Sequence, residues 1–220
     1  MTSRKRYPII VFDWDGTLFD SAAVIAEGIQ HAARDMALPV PDRETASHVI
    51  GLGLSDSLRH AMPTLPPERY QEFLALYRRY FLEREDTLTL FPGVIELLSE
   101  LKERGHRLAV ATGKPRHGLD RALKAGRVGD LFAATRCGDE TQSKPHPAML
   151  QELMDQMQVR AADMLMVGDT SHDLGMARNA GVDALAVCYG AHPAESLRAF
   201  APRACLASVA ELRLWLTTNG

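Results

Sequence analysis

Three features of the chain predict an α/β protein, a doubly wound parallel sheet interrupted early by a helical insert. They are a β-branched and aromatic run that ends in acids at residues 8–15, a stretch over 38–91 without any convincing strand, and alternation of helix-like and strand-like segments from residue 93 onward. A run that is apolar at every position belongs to a strand buried on both faces, as a parallel sheet requires. Alternating α and β segments assemble such strands beneath helices on both faces. With 220 residues, 46% of them hydrophobic, the chain can build one well-covered core and a second small module.

Pro8-Ile9-Ile10-Val11-Phe12 is the first strand, and Asp13-Trp14-Asp15-Gly16-Thr17-Leu18 follows it without a spacer. A helix is predicted over 21–37, with Asp20 or Ser21 as N-cap and Val24, Ile25, Ile29, Ala32 and Ala33 on its apolar face. Short helices over 45–49 and 54–61 flank Gly51-Leu52-Gly53, and a long helix over 68–85 begins after Pro66-Pro67. Beyond Phe91-Pro92-Gly93 the pattern reads helix 93–104, strand 107–111, helix 118–125, strand 132–136 and helix 147–157. Strand 164–167, helix 174–180, strand 184–187 and helix 209–216 complete it. The predicted hinges are 18–21 and 90–93, which divides the chain into 1–19 with 91–220 as the core and 20–90 as the insert.

A net charge of −3 leaves no electrostatic footprint for nucleic acid. Residues 1–6 are basic, but the apolar run behind them ends at Asp13, too soon for a secretory signal, and no stretch is long enough to span a bilayer. The expectation is a cytoplasmic protein with neither a nucleic-acid nor a membrane partner. Cys137, Cys188 and Cys205 are odd in number and scattered, which reads as reduced core or surface residues.

Four segments carry chemistry. Asp13 and Asp15 converge where the chain turns at Gly16, and two crowded carboxylates repel unless a cation stands between them. Oxygen-only ligation suits Mg²⁺. Thr112-Gly113 ends the strand at 107–111 and offers a hydroxyl and a free N–H to a phosphate oxygen; in an ordinary turn, the adjoining Lys114 is solvated. In Ser143-Lys144-Pro145-His146-Pro147, two prolines fix the backbone around Lys144, and His146 reads as a turn or surface residue. Gly168-Asp169-Thr170-Ser171-His172-Asp173 again sets acids behind an apolar run, with Asp169 placed to complete the cation's shell and Asp173 to orient a water or pair with Lys144. Each segment has an ordinary reading: an Asp-Gly turn, a polar loop, helix-start prolines, an N-cap with a first-turn acid. Together on one edge of a parallel sheet they point to a common site.

In that order and over essentially the whole chain, Asp13-x-Asp15-Gly16-Thr17, Thr112-Gly113, Lys144-Pro145 and Gly168-Asp169-x-x-x-Asp173 resemble the haloacid dehalogenase-like hydrolases. The insert resembles the helical cap of the subgroup that holds phosphoglycolate phosphatases, β-phosphoglucomutases and the dehalogenases. The resemblance implies a Rossmann-like core, with Asp13 as nucleophile forming an aspartyl-phosphate and Asp15 as general acid and then base. It implies Mg²⁺ held by Asp13, the Asp15 backbone carbonyl and Asp169, with Thr112, the Gly113 N–H and Lys144 on the phosphate and Asp173 behind them. Dehalogenases lack the acid two residues after the nucleophile, so Asp15 favours phosphoryl over carbon chemistry. Trp14 between the acids reads as core packing, pointing away from them, and Lys114 stands where related phosphatases often carry Asn-Lys.

A cap of this kind excludes water and contacts the leaving group. Residues 51–55, followed by Arg59 and His60, are the candidate specificity loop, with Arg59 placed to hold a carboxylate such as that of phosphoglycolate. The expected activity is therefore Mg²⁺-dependent hydrolysis of small phosphorylated metabolites, resembling phosphoglycolate phosphatase. A phosphomutase resembling β-phosphoglucomutase and a noncatalytic Mg²⁺ or phosphate-binding module are the alternatives.

Overall fold

The computed structural model describes residues 7–220; the reading of the basic segment 1–6 lies outside the described residues. Six parallel strands form one sheet: β1 (Ile9–Phe12), β2 (Arg107–Ala111), β3 (Phe132–Arg136), β4 (Met164–Gly168), β5 (Asp183–Val187) and β6 (Cys205–Leu206). Their order is β3-β2-β1-β4-β5-β6. The winding reverses between β1 and β4, where open α/β sheets form their ligand crevice. Phe12 pairs with Val167 across that seam, so the loops after β1 and β4 emerge side by side.

The period-2 alternation of the strands separates two cores. Ile10, Phe12, Leu108, Val110, Leu165 and Val167 face one side, with Leu97 and Leu101 of α5 (Val94–Glu103) and Leu212 and Leu216 of α10 (Val209–Asn219). Ile9, Val11, Ala109, Ala111, Met164 and Met166 face the other, with Leu150 and Leu153 of α7 (Ala148–Met157) and Met176 of α8 (Ser171–Ala180). A further apolar cluster lies within the insert, where Ile25 and Ile29 of α1 (Ala22–Asp35) pack with Phe73 and Phe81 of α4 (Tyr70–Glu85). Leu58 of α3 (Leu54–Ala61) and Ala46 of α2 (Arg43–His48) complete it.

The doubly wound sheet forms as the sequence predicts, with three differences of detail. The long helix of the insert is preceded by a 3₁₀ turn, Pro67–Arg69, because Pro67 starts the turn before the α register is established. Helices α6 (Arg116–Gly126) and α8 begin earlier than predicted, the latter closed by a reciprocal capping box between Thr170 and Asp173. Helix α9 (Ala194–Arg198) and β6 are additional; a five-residue helix and a two-residue strand are too short to show a period. Among the described residues, no helix is long and apolar enough to cross a membrane.

The insert is docked on the sheet edge by few but specific contacts. The Gly53 N–H donates to Ser143 Oγ at 2.7 Å. The imidazole Nε2 atoms of His172 and His192 both donate to the His48 carbonyl, at 2.7 and 3.0 Å. Burial and the neighbouring His172 push the His192 pKa down to about 4, which keeps that ring neutral as a one-proton donor. Gly113 permits the closest approach, since a Cβ there would run into the carbonyl oxygens of Gly51 and Leu52.

Candidate active site

Asp13 leaves the end of β1 with its N–H bonded to the Val167 carbonyl at 2.9 Å, and its side chain is fully buried. Oδ1 accepts from Lys144 Nζ at 2.7 Å, whereas Oδ2 is buried without a hydrogen-bond partner. Lys144 Nζ also donates to Asp173 Oδ1 at 2.6 Å. The second oxygen of Asp173 accepts from the Thr170 hydroxyl at 2.6 Å and from its N–H at 3.1 Å. Lys144 thus stands between two carboxylates, as the sequence suggests for one of them. Burial opposes its charge, but Asp13 and Asp173 outweigh burial and hold its pKa above the ordinary lysine value. Burial, reinforced by Asp173 and Asp169 against the pull of Lys144, holds Asp13 well above the usual carboxylate range.

Asp169 follows β4 and accepts from Thr17 Oγ1 at 2.7 Å and the Ala191 N–H at 2.7 Å, both neutral donors. Burial and then Asp173 push its pKa up to about 7. Gly16, at φ +85°, and Gly190 give this carboxylate its space, because a Cβ at either position would collide with it. Tyr189 closes the wall by donating its hydroxyl to the Thr17 carbonyl at 3.0 Å.

Asp15 is turned away from Asp13 toward the insert and is held through Oδ1 by Ser21 Oγ at 2.7 Å and Lys114 Nζ at 3.0 Å. Trp14, between the two acids, is buried in the opposite direction against Phe19 and Phe132, with ring centroids 5.8 and 6.4 Å apart. Thr112, at the end of β2, is buried with its Oγ1 accepting from the Lys114 N–H at 3.2 Å.

The structure gathers Asp13, Asp15, Lys144, Asp169 and Asp173 at the switch point, with Thr112 and Gly113 at the adjoining end of β2. It does not bring Arg59 there. That side chain is 64% exposed on α3 and paired with Asp56, so the sequence-based role in holding a substrate carboxylate is not met by this conformation. Lys114 is the reverse case: an ordinary turn would leave it solvated, yet it is an ion-pair partner of Asp15 with 10% of its side chain exposed. Ser21 was legible only as a helix cap; its hydroxyl makes no capping bond because it serves Asp15.

With all groups ionised, Asp13, Asp15, Asp169 and Asp173 face Lys144 and Lys114, an excess of two negative charges. That excess, with the unpartnered Oδ2 of Asp13, fits a divalent cation. Asp13, Asp169 and Asp173 each place an oxygen within 4.8 Å of the others'. Both oxygens of Asp173 are taken, by Lys144 and by Thr170, whereas Asp13 keeps Oδ2 without a partner and Asp169 has only neutral donors, which leaves Asp13 and Asp169 as the side-chain donors. A second group within the same spacing, His48, His172 and His192, lies where insert and core meet; the rings of His172 and His192 are engaged in the docking bonds described above, to which His48 contributes its backbone carbonyl.

The chain is similar to several known proteins over most of its length. The family model described as haloacid dehalogenase-like hydrolase matches residues 10–187. A protein of Dickeya dadantii named "Probable phosphatase IndB" is 34% identical, over 93% of this chain and 91% of the relative. A phosphoglycolate phosphatase of Vibrio vulnificus is 32% identical, over 96% of each chain. The crystal structure of a predicted phosphoglycolate phosphatase from Haemophilus somnus superposes with a TM-score of 0.84 at 27% identity, covering 98% of this chain and all of the other. The family match covers most of the chain and the relatives span nearly all of it: the chain belongs to the haloacid dehalogenase-like hydrolases, and these curated relatives are named as phosphatases.

Proposed function

We propose that the chain is a Mg²⁺-dependent phosphatase of small phosphate monoesters, acting in the cytoplasm through an aspartyl-phosphate on Asp13, with residues 20–90 as its cap. The carrying observation is Asp13 Oδ2, a buried carboxylate oxygen with no partner beside a lysine that orients its twin. Nucleophile, lysine and metal donors meeting at the switch point support the reading, as does similarity to phosphatases. Bound Mg²⁺, on Asp13, Asp169 and the Asp15 backbone carbonyl, would neutralise phosphate oxygens and the surplus carboxylate charge.

In the first step, a carboxylate oxygen of Asp13 forms a bond to phosphorus as the ester P–O bond breaks, and Asp15 gives its proton to the leaving oxygen. In the second, the Asp15 carboxylate takes a proton from water, whose oxygen displaces Asp13 from phosphorus. Thr112 Oγ1, the Gly113 N–H and Lys144 hold phosphate oxygens during both, positioning being the main catalytic contribution in phosphoryl transfer. Ser21 and Lys114 fix the Asp15 carboxylate, and Asp173 fixes Lys144.

Phosphate release from a panel of phosphorylated metabolites that includes phosphoglycolate, with and without Mg²⁺, tests the reading beside Asp13→Asn as the blank. Mg²⁺-dependent release by the wild type and none by the variant is expected. Equal turnover by an Asp13→Asn preparation free of deamidation overturns the nucleophile, and release that requires a bisphosphate activator and isomerises a sugar phosphate makes the chain a mutase instead.

A further inference from the structure

Asp15 forms the floor of a cavity of about 140 Å³ between the core and the insert. Gly113 and Lys114 also line it, whereas Asp13, Thr112 and Asp169 do not, so it opens beside the place of the phosphate and extends toward the insert as a chamber for what departs from phosphorus. Its walls are Ile25 and Ile29 of α1, Leu54 of α3, and Phe73, Tyr77 and Phe81 of α4. An apolar cavity of about 150 Å³ accommodates benzene, so this one holds about six non-hydrogen atoms.

We infer that the leaving group of the physiological substrate is a compact apolar or aromatic alcohol of about four to six carbons, seated in this chamber with its ester oxygen at Asp15. The inference rests on the phosphatase reading and narrows its substrate class. Glycolate would place a carboxylate among these apolar walls, where a charge without a partner is strongly disfavoured. The cations within reach are engaged or at the surface. Lys114 is paired with Asp15 at 3.0 Å and lies 4.9 Å from the centre of the Phe81 ring. Arg121 is paired with Glu85 at 3.2 Å, and Arg78 and His117 are exposed. Arg59 does not line the chamber.

Straight-chain alkyl phosphates test this without changing the chemistry, because their alcohols are of nearly equal basicity and differ only in the apolar surface they bury. With Mg²⁺, kcat/KM is expected to rise roughly fourfold per methylene from methyl to butyl phosphate, the effect of burying one CH₂. The five-carbon 3-methylbutyl phosphate should at least match butyl phosphate, and phosphoglycolate should fall below both. Tyr77→Ser, at a half-buried position of the wall, should flatten the series. Calorimetric binding of the same esters to Asp13→Asn gives a readout independent of turnover, with affinity rising along the series. A flat or falling series, or phosphoglycolate preferred tenfold over butyl phosphate, overturns the inference and leaves the phosphatase reading standing. No turnover of any ester, with binding to Asp13→Asn that still strengthens along the series, overturns the catalytic reading and keeps the chamber; failure of both overturns both.

Discussion

Replacing Asp169 by Asn is expected to make the cation-free protein more stable at pH 8 while removing its activity. Asp169 titrates near 7 in the folded chain against 3.8 for the ordinary carboxylate, because burial and Asp173 disfavour its charge. A raised folded pKa means that the native state binds the proton more tightly than the unfolded chain. Stability contributed by this group is therefore present at low pH and lost as pH rises from about 4 to about 7. A shift of about three pH units at 1.36 kcal/mol each gives about 4 kcal/mol as the cost of ionising Asp169 without a cation. For a chain of this length, about 4 kcal/mol corresponds to a melting shift on the order of 10 °C. Asn keeps an amide oxygen for the Ala191 N–H and an NH₂ for Thr17 Oγ1, and carries no charge.

Melting curves in EDTA and in Mg²⁺ at pH 5.5 and 8 separate these contributions. The wild type minus variant difference in EDTA should become more negative between the two pH values, a subtraction that cancels the titration of groups remote from Asp169. Mg²⁺ should raise the wild-type midpoint more at pH 8 than at pH 5.5, where the ion must first displace a proton, and should leave Asp169→Asn unmoved. If the variant melts below the wild type in EDTA at pH 8, the electrostatic reading of this carboxylate is wrong. If Mg²⁺ stabilises the variant as strongly as the wild type, the assignment of Asp169 as a metal donor is wrong.

Asp13→Asn should retain the circular-dichroism spectrum and lose turnover by more than a thousandfold, read as phosphate release. Lys144→Met leaves Asp13 and Asp173 facing each other without their cation; denaturant unfolding at pH 8 should show a loss of about 3–5 kcal/mol, smaller at pH 5.5. Ser21→Ala removes one of the two groups on Asp15; a contribution of about 1 kcal/mol predicts a kcat lower by roughly fivefold with little change in KM. Gly113→Ala drives a Cβ against the Gly51 and Leu52 carbonyls, so kcat/KM should fall while the core melts normally, and an unchanged kcat/KM would show that activity does not need this docking contact.

What was legible in the sequence depended on patterns that complete themselves locally. Ile9–Phe12 declares a fully buried strand by composition, and the acids follow it directly, so both the strand and its edge could be placed without knowing its neighbours. Lys144 carried a local signal as well, one long cation between two prolines, and its partner Asp173 lay in another recognisable segment. Lys114 and Ser21 carried signals that pointed elsewhere. A lysine after a turn is ordinarily solvated and a serine before a helix ordinarily caps it; both are drawn to Asp15 because that acid is 6% exposed and must find donors. Arg59 shows the opposite limit, since helical spacing places a residue on a face but does not say what the face meets. Asp56, one turn earlier on α3, was the nearer partner.

The position of Asp15 also explains why the insert and the chemistry are hard to separate. Asp13 and Asp169 are held by groups of the core alone: Lys144, Thr17 and Ala191. Asp15 instead takes one bond from Ser21, at the threshold of α1, and one from Lys114, whose Nζ lies 4.9 Å from the centre of the Phe81 ring on α4. On the proposed mechanism, the proton donor is therefore oriented from Ser21 and covered by the insert, whereas the nucleophile is held by the core alone. A substrate that fills the chamber presses on the same helices that complete the surroundings of Asp15. On the proposed mechanism one packed unit would serve both leaving-group recognition and leaving-group protonation, so changes in the chamber wall should appear in kcat as well as KM.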